Sequence, residues 1–119
     1  MVSRFSELMI DCHDPRRVAD FWRQVLDYQV IDESDGLIEL AEAPEAMPTL
    51  VFVPVPEGKS VKNRIHIDVS PRDLEQDAEV ERILALGARR IDIGQGDVSW
   101  VVMADPEGNE FCVLRTRRP

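Results

Sequence analysis

Apolar and polar positions alternate from Phe5 to Cys12, with Leu8, Ile10 and Cys12 on one side and Glu7, Met9 and Asp11 on the other. Period-two alternation predicts a strand with one packed face, and here the polar face carries Glu7. The pattern then changes. Val18, Phe21, Trp22, Val25 and Leu26 recur at helical spacing, after Asp14 as a cap and Pro15 at the first helical position, where a missing N–H costs nothing. Tyr28 to Ile31 reads as a second strand, Asp35-Gly36 as a hairpin turn and Leu37 to Leu40 as a third strand. Glu42 to Pro48, with Pro44 and Pro48, is a loop, and Leu50 to Val55 is a fourth strand ended by a Pro-rich link.

The same order follows again. Arg64 to Ser70 alternates, so Ile65, Ile67 and Val69 are expected to meet a packed layer while His66 and Asp68 share the opposite face. Asp73 is expected to cap a helix running to Leu86 and closed by Gly87. Ala88 to Ile93, Val98 to Met103 and Glu110 to Arg115 supply three more strands. The turn Asp105-Pro106-Glu107-Gly108-Asn109 joins the last two, since Pro presets φ and Gly and Asn tolerate positive φ. Moved back by 59 positions, His66 falls on Glu7, Val69 on Ile10 and Asp73 on Asp14. One βαβββ module is thus written twice, at about residues 1–57 and 62–119, with Glu7 and His66 at equivalent points. At 119 residues the two halves are too small to stand well alone, and the expectation is one α+β domain spanning 1–119.

Composition narrows the functional classes. The formal charge of −9, from 23 acidic and 14 basic residues, repels phosphate backbones and argues against nucleic acid as a partner, while favouring a cationic small molecule. No apolar run approaches the ~18 residues of a membrane span. The N-terminus has no apolar segment of a secretory signal, so the expected location is cytoplasmic. Cys12 and Cys112 fall in strand patterns without metal or redox spacing and are expected as reduced, buried thiols. Trp22, at core spacing on the first helix, reads as structural. Trp100 opens a strand beside the Gly94-Gln95-Gly96-Asp97 loop, where an aromatic either closes over a ligand or simply packs its indole. Arg115 to Pro119 reads as a solvated basic end.

With two βαβββ units and the stretch Asp105-Pro106-Glu107-Gly108-Asn109-Glu110-Phe111-Cys112-Val113-Leu114 in view, the chain resembles the vicinal-oxygen-chelate superfamily, the glyoxalase, bleomycin-resistance and extradiol-dioxygenase group. Within it the chain is most similar to the small glyoxalase-like and bleomycin-resistance-like domains. The resemblance implies paired modules whose mixed sheets curve into a cleft, often completed in a homodimer. It also implies metal ligands on the first and last strands of each module, which here puts Glu7 and His66 in ligand positions. Where the superfamily commonly has a last-strand Glu, this chain has Cys112. Leu50 to Val55 offers no ligand at all.

The expected ligand-cleft residues are therefore Glu7, His66, Asp68, Trp100 and Cys112, with Glu7 and His66 as metal ligands and no catalytic residue assigned. A mononuclear catalytic centre usually needs three protein ligands and an open position. With Cys112 as a third, the Glu, His and Cys set suits zinc better than a hard ion; no cofactor is fixed by the sequence, and zinc, nickel, manganese or iron is the divalent metal expected if one is bound. The first expectation is a small-molecule binding protein. The second is a divalent-metal-dependent lyase, isomerase or dioxygenase acting on a small oxygenated compound, and the third an accessory domain without catalysis.

Overall fold

Helix α1 (Pro15–Leu26) forms where the helical period and its start signals coincide. The Asp14 carboxylate accepts the Arg17 N–H at 3.4 Å, and Pro15 occupies the first turn. Its stripe of Val18, Phe21, Trp22 and Val25 is buried, with the Phe21 and Trp22 rings edge to face at 5.4 Å. The helix ends at Asp27, which takes a left-handed conformation (φ 56°) and sends its N–H back to the Arg23 carbonyl. The computed structural model that gives these coordinates describes all 119 residues.

Two units follow one another along the chain, Met1–Gly58 and Lys59–Pro119. In the first, β1 (Glu7–Cys12), β2 (Gln29–Ser34), β3 (Leu37–Ala41) and β4 (Thr49–Pro54) form a sheet in the order β1-β4-β3-β2. The β1–β4 pair is parallel and the others are antiparallel. Helix α1 packs on β3 and β4. Leu40 and Phe52 are fully buried, and Ile38 and Leu50 nearly so. The turn between β2 and β3 is the one expected, because Asp35 (φ 53°) and Gly36 (φ 81°) both adopt the left-handed region that a two-residue hairpin requires. At Gly36 even the room is short, since an added Cβ would stand 3.3 Å from Pro54 Cγ.

The second unit repeats the plan. It contains β5 (Ile67–Val69), helix α2 (Gln76–Ala85), β6 (Arg89–Arg90), β7 (Val101–Ala104) and β8 (Glu110–Val113), in sheet order β5-β8-β7-β6. Again the first and last strands are parallel, and the rest are antiparallel. The chain is thus an α+β protein of two βαβββ modules. Phe111, Val113, Met103, Val80 and Ile83 are among the buried apolar residues of this unit.

Several boundaries differ from the sequence expectation. β5 holds three residues rather than seven, and Ile65 is 73% exposed instead of packed. Alternation read Ile65 as inward, but the backbone enters the sheet only at Ile67, so Ile65 has no layer to meet. Asp73 does not cap α2. The helix starts at Gln76 after Glu75, with no side-chain cap, and its first turn is served by Asp77 and Glu79, which suit the positive end of the helix dipole. The stretch from Pro71 to Glu75 is held apart by the C-terminal tail instead. Arg118 donates its backbone N–H to the Pro71 carbonyl at 2.8 Å, and Arg117 reaches the Asp73 carbonyl and the Glu75 carboxylate, both at 3.4 Å. The basic tail is therefore tied down at these points rather than simply solvated. Trp100 precedes β7 instead of opening it, and β6 keeps only two of the six residues expected as strand.

Candidate functional site

Register on β5 and β8 builds the site. Asp68 is the Cα partner of Cys112, and Cys112 in turn is the partner of Val102 on β7. Partnered side chains point to the same face, so the three lie side by side, opposite the face that carries Ile67, Phe111 and Val113. His66, two residues before Asp68, comes to the same place. Its Nε2 stands 3.2 Å from Asp68 Oδ1, with both side chains a little under half exposed. One ligating atom each from His66, Asp68 and Cys112 lies within 4.8 Å of the other two.

Burial and then Asp68 set the electrostatics of this group. Burial pushes the Cys112 thiol up to about 11, the Asp68 carboxylate adds to that by its charge and by accepting the S–H, and Lys62 opposes it. Cys112 is therefore a protonated thiol at neutral pH and no free nucleophile. Asp68→Asn removes the negative charge and the charged acceptor, so the thiol should titrate below the native value. Absorbance near ~240 nm, where thiolate appears, follows that titration. An unchanged midpoint would mean that Asp68 does not face the sulfur. Because the folded value lies above the ordinary 9.0, this interaction contributes its full stability below pH 9. That contribution is lost as pH rises through about 11.

An imidazole nitrogen, a carboxylate oxygen and a sulfur at this spacing fit one small divalent ion with bonds of about 2.0–2.3 Å after modest side-chain adjustment. The donor chemistry suits zinc, because a thiolate is a soft ligand and manganese prefers oxygen. The thiol proton would have to leave, so affinity would rise with pH.

The other expected residues stand as follows. Trp100 is 41% exposed, two residues before the Cys112 partner Val102. Glu7 is the exposed first residue of β1 in the first unit, paired in register with Thr49. In that unit, the positions matching His66, Asp68 and Cys112 are Glu7, Met9 and Val51. Glu7 is thus the one ligating side chain in that first-unit set.

Two functional candidates escaped the sequence reading. Glu39 lies opposite Val51 and accepts the Thr49 hydroxyl at 2.7 Å, which adds a second carboxylate to the sheet face of Glu7. Its place between Ile38 and Leu40 in an alternating strand was the available signal. Glu110 is the carboxylate that β8 does carry, two residues before Cys112. Its oxygens are taken by Lys59 Nζ at 2.5 Å and the Asn63 N–H at 2.9 Å. Burial alone would raise its pKa, but these bonds outweigh burial and hold the carboxyl below its ordinary value. Nothing in the sequence signalled that a residue 51 positions away would claim it.

A groove on the first unit lies elsewhere, a shallow space of about 430 Å³ between α1 and β2. Arg16, Arg17, Asp20, Arg23, Val30 and Glu33 line it, and two ion pairs, Arg16–Glu33 and Arg23–Asp20, each at 2.7 Å, lie along it. Its charges are largely spent on one another, and it lacks a convergent set of chemically active groups.

Comparison with known structures agrees with the strand plan. The chain is similar to a glyoxalase/bleomycin resistance protein/dioxygenase family enzyme from Burkholderia phytofirmans, at 21% identity over 93% of this chain and 97% of that one, with a TM-score of 0.69. It is similar to the fosfomycin resistance protein FosX from Mesorhizobium loti, at 16% identity over 96% and 92% of the two chains and a TM-score of 0.72. A mutant FosX from Listeria monocytogenes, in complex with Mn(II) and a dihydroxypropylphosphonic acid, matches at 19% identity over 96% and 90%, with a TM-score of 0.71. At these identities the likeness shows the fold. No curated protein matches significantly by sequence. The sequence profile of the glyoxalase-like domain matches residues 7–114, nearly the whole chain, and the protein therefore belongs to the glyoxalase-like domain family.

Proposed function

We propose that the protein is a single domain that binds a small molecule on the sheet face carrying His66, Asp68 and Cys112, with Trp100 as a further contact. The observation that carries this reading is the convergence of three chemically different polar groups at the start of β5 and on β8, with Trp100 left 41% exposed two residues before the Cys112 partner Val102. Binding sites are commonly apolar surfaces with a few such convergent groups. The ligand class is cationic or amphipathic, in keeping with the net charge of −9 and the Asp68 carboxylate.

A thermal-shift screen across cationic aromatic compounds should give hits that stabilise the protein in proportion to concentration. Asp68→Asn and Trp100→Ala should each weaken a hit about tenfold, the scale of one lost charged or stacking contact. A broad panel without a hit would count against binding.

A second reading is favoured by the nitrogen, oxygen and sulfur set itself. Here the protein is a metal-assisted lyase, isomerase or dioxygenase. The ion, held by His66, Asp68 and Cys112, would supply Lewis acidity toward a small oxygenated substrate. Purified protein would then carry about one metal per chain by elemental analysis, and His66→Ala would remove it. Protein that is isolated metal-free, and is not stabilised by added zinc, nickel, manganese or iron, would eliminate this reading. Failure of both tests leaves an accessory domain without catalysis. No helix is long and apolar enough to cross a membrane. We place the protein in the cytoplasm, acting without nucleic acid. We also expect a homodimer, since β2 and β6 end their sheets with one edge unpaired, and light scattering reads that directly.

A further inference from the structure

We propose that Glu110 is a positioning residue for His66, acting through the segment Lys59–Asn63. His66 lies outside the sheet, for β5 begins only at Ile67, and its own backbone has no ladder to hold it. What precedes it is held instead from the β7–β8 hairpin. Glu110 Oε2 takes the Lys59 ammonium at 2.5 Å and Oε1 takes the Asn63 N–H at 2.9 Å. The same ammonium donates to the Val61 carbonyl at 2.8 Å, folding the segment around the carboxylate. Asn63 Nδ2 donates to Asn109 Oδ1 at 2.9 Å, and Asn109 Nδ2 donates to Asp105 Oδ2 at 3.0 Å, where Asp105 is fully buried.

Position 63 is thereby fixed to the hairpin, and position 67 is fixed in the ladder opposite Phe111. Only 64 to 66 span the gap, too few residues for many conformations. Without the Glu110 carboxylate only the Asn63–Asn109 side-chain bond would hold position 63, Lys59 would be released, and His66 would sample more placements relative to Asp68. The Glu110 side chain is only 9% exposed, so water competes poorly for these bonds and both are charge-assisted. Glu110 thus holds the imidazole near Asp68 and Cys112 without touching a ligand.

This inference rests on His66 belonging to the proposed site, but its test does not need a ligand. Native-state amide exchange and the His66 ring resonances are compared in the native protein, Glu110→Gln, Glu110→Ala and Lys59→Met. Glu110→Ala should speed exchange at Asn63 by at least about tenfold, the scale of a lost charged hydrogen bond, and should displace or broaden the His66 ring signals. Glu110→Gln, which keeps an acceptor for Asn63, and Lys59→Met should give smaller changes of the same kind. Exchange in α2 and β7 should stay native in these two milder variants. Native exchange at Asn63 and an unmoved His66 signal in all three variants would overturn the proposal. So would acceleration spread evenly over the whole second unit in the milder variants, since that reports general destabilisation. Adding zinc alone then reads the site separately, with Glu110→Gln expected to weaken any affinity about tenfold as a supporting contact does. If the native protein binds no zinc while the exchange result holds, the metal reading fails and the positioning role stands.

Discussion

Asp105→Ala is expected to cost about 3–5 kcal/mol of unfolding free energy. Asp105 is fully buried, and its carboxylate organises the turn between β7 and β8. Oδ1 accepts the backbone N–H of Glu107 and of Asn109, each at 2.9 Å, and Oδ2 accepts the Asn109 side chain at 3.0 Å. The backbone closes the same loop, with Asp105 N–H to Asn109 O and Gly108 N–H to Asp105 O, both at 2.9 Å. Deleting the fully buried carboxylate leaves three donors of the half-buried Glu107 and Asn109 without their partner, and an unmet donor that water reaches poorly costs more than a made bond gains. Urea unfolding should show a lower midpoint with an unchanged slope. Asp105→Asn keeps an acceptor oxygen and should cost about half as much. A loss below ~1 kcal/mol for the alanine variant would mean that water replaces the carboxylate, contrary to the burial described.

Phe111→Ala should cost a similar about 3–5 kcal/mol, by a different route. The ring is fully buried, on β8 between Glu110 and Cys112, opposite Ile67 of β5. Removing it leaves a cavity at the strand pair that carries the candidate site. The same variant tests the single-domain proposal. If the two modules fold as one cooperative domain, a single transition should shift as a whole, and probes in both modules should report the same midpoint. Should the first module, followed through Trp22, keep its native transition while the second melts early, the modules are independent folding units.

The sequence made the element order and the repeat legible, because each depends on local chemistry. Asp14-Pro15 and the stripe from Val18 to Val25 define α1 on their own, and Asp35-Gly36 can do little but turn. The joint that failed was the one set by distant residues. Asp73 has the chemistry of a cap, yet Arg117 and Arg118 engage the stretch from Pro71 to Glu75, and the helix begins later. Ile65 alternates as though packed, but the sheet ends one residue beyond His66. The site was legible to the same extent. The pairing of His66 with Asp68 follows from their two-residue spacing, although His66 lies just before the strand, and strand register adds Cys112. The Glu110 contacts with Lys59 and Asn63 join residues that no local pattern connects.

The proposed binding face is tested most directly by residue-resolved chemical-shift mapping with a compound taken from the thermal-shift screen. The account predicts that titration moves the His66 ring, the Asp68 and Cys112 amides and the Trp100 indole together, with one common dissociation constant. Shifts confined to Arg16, Arg17, Arg23 and Val30, along the groove between α1 and β2, would place the ligand elsewhere and contradict it.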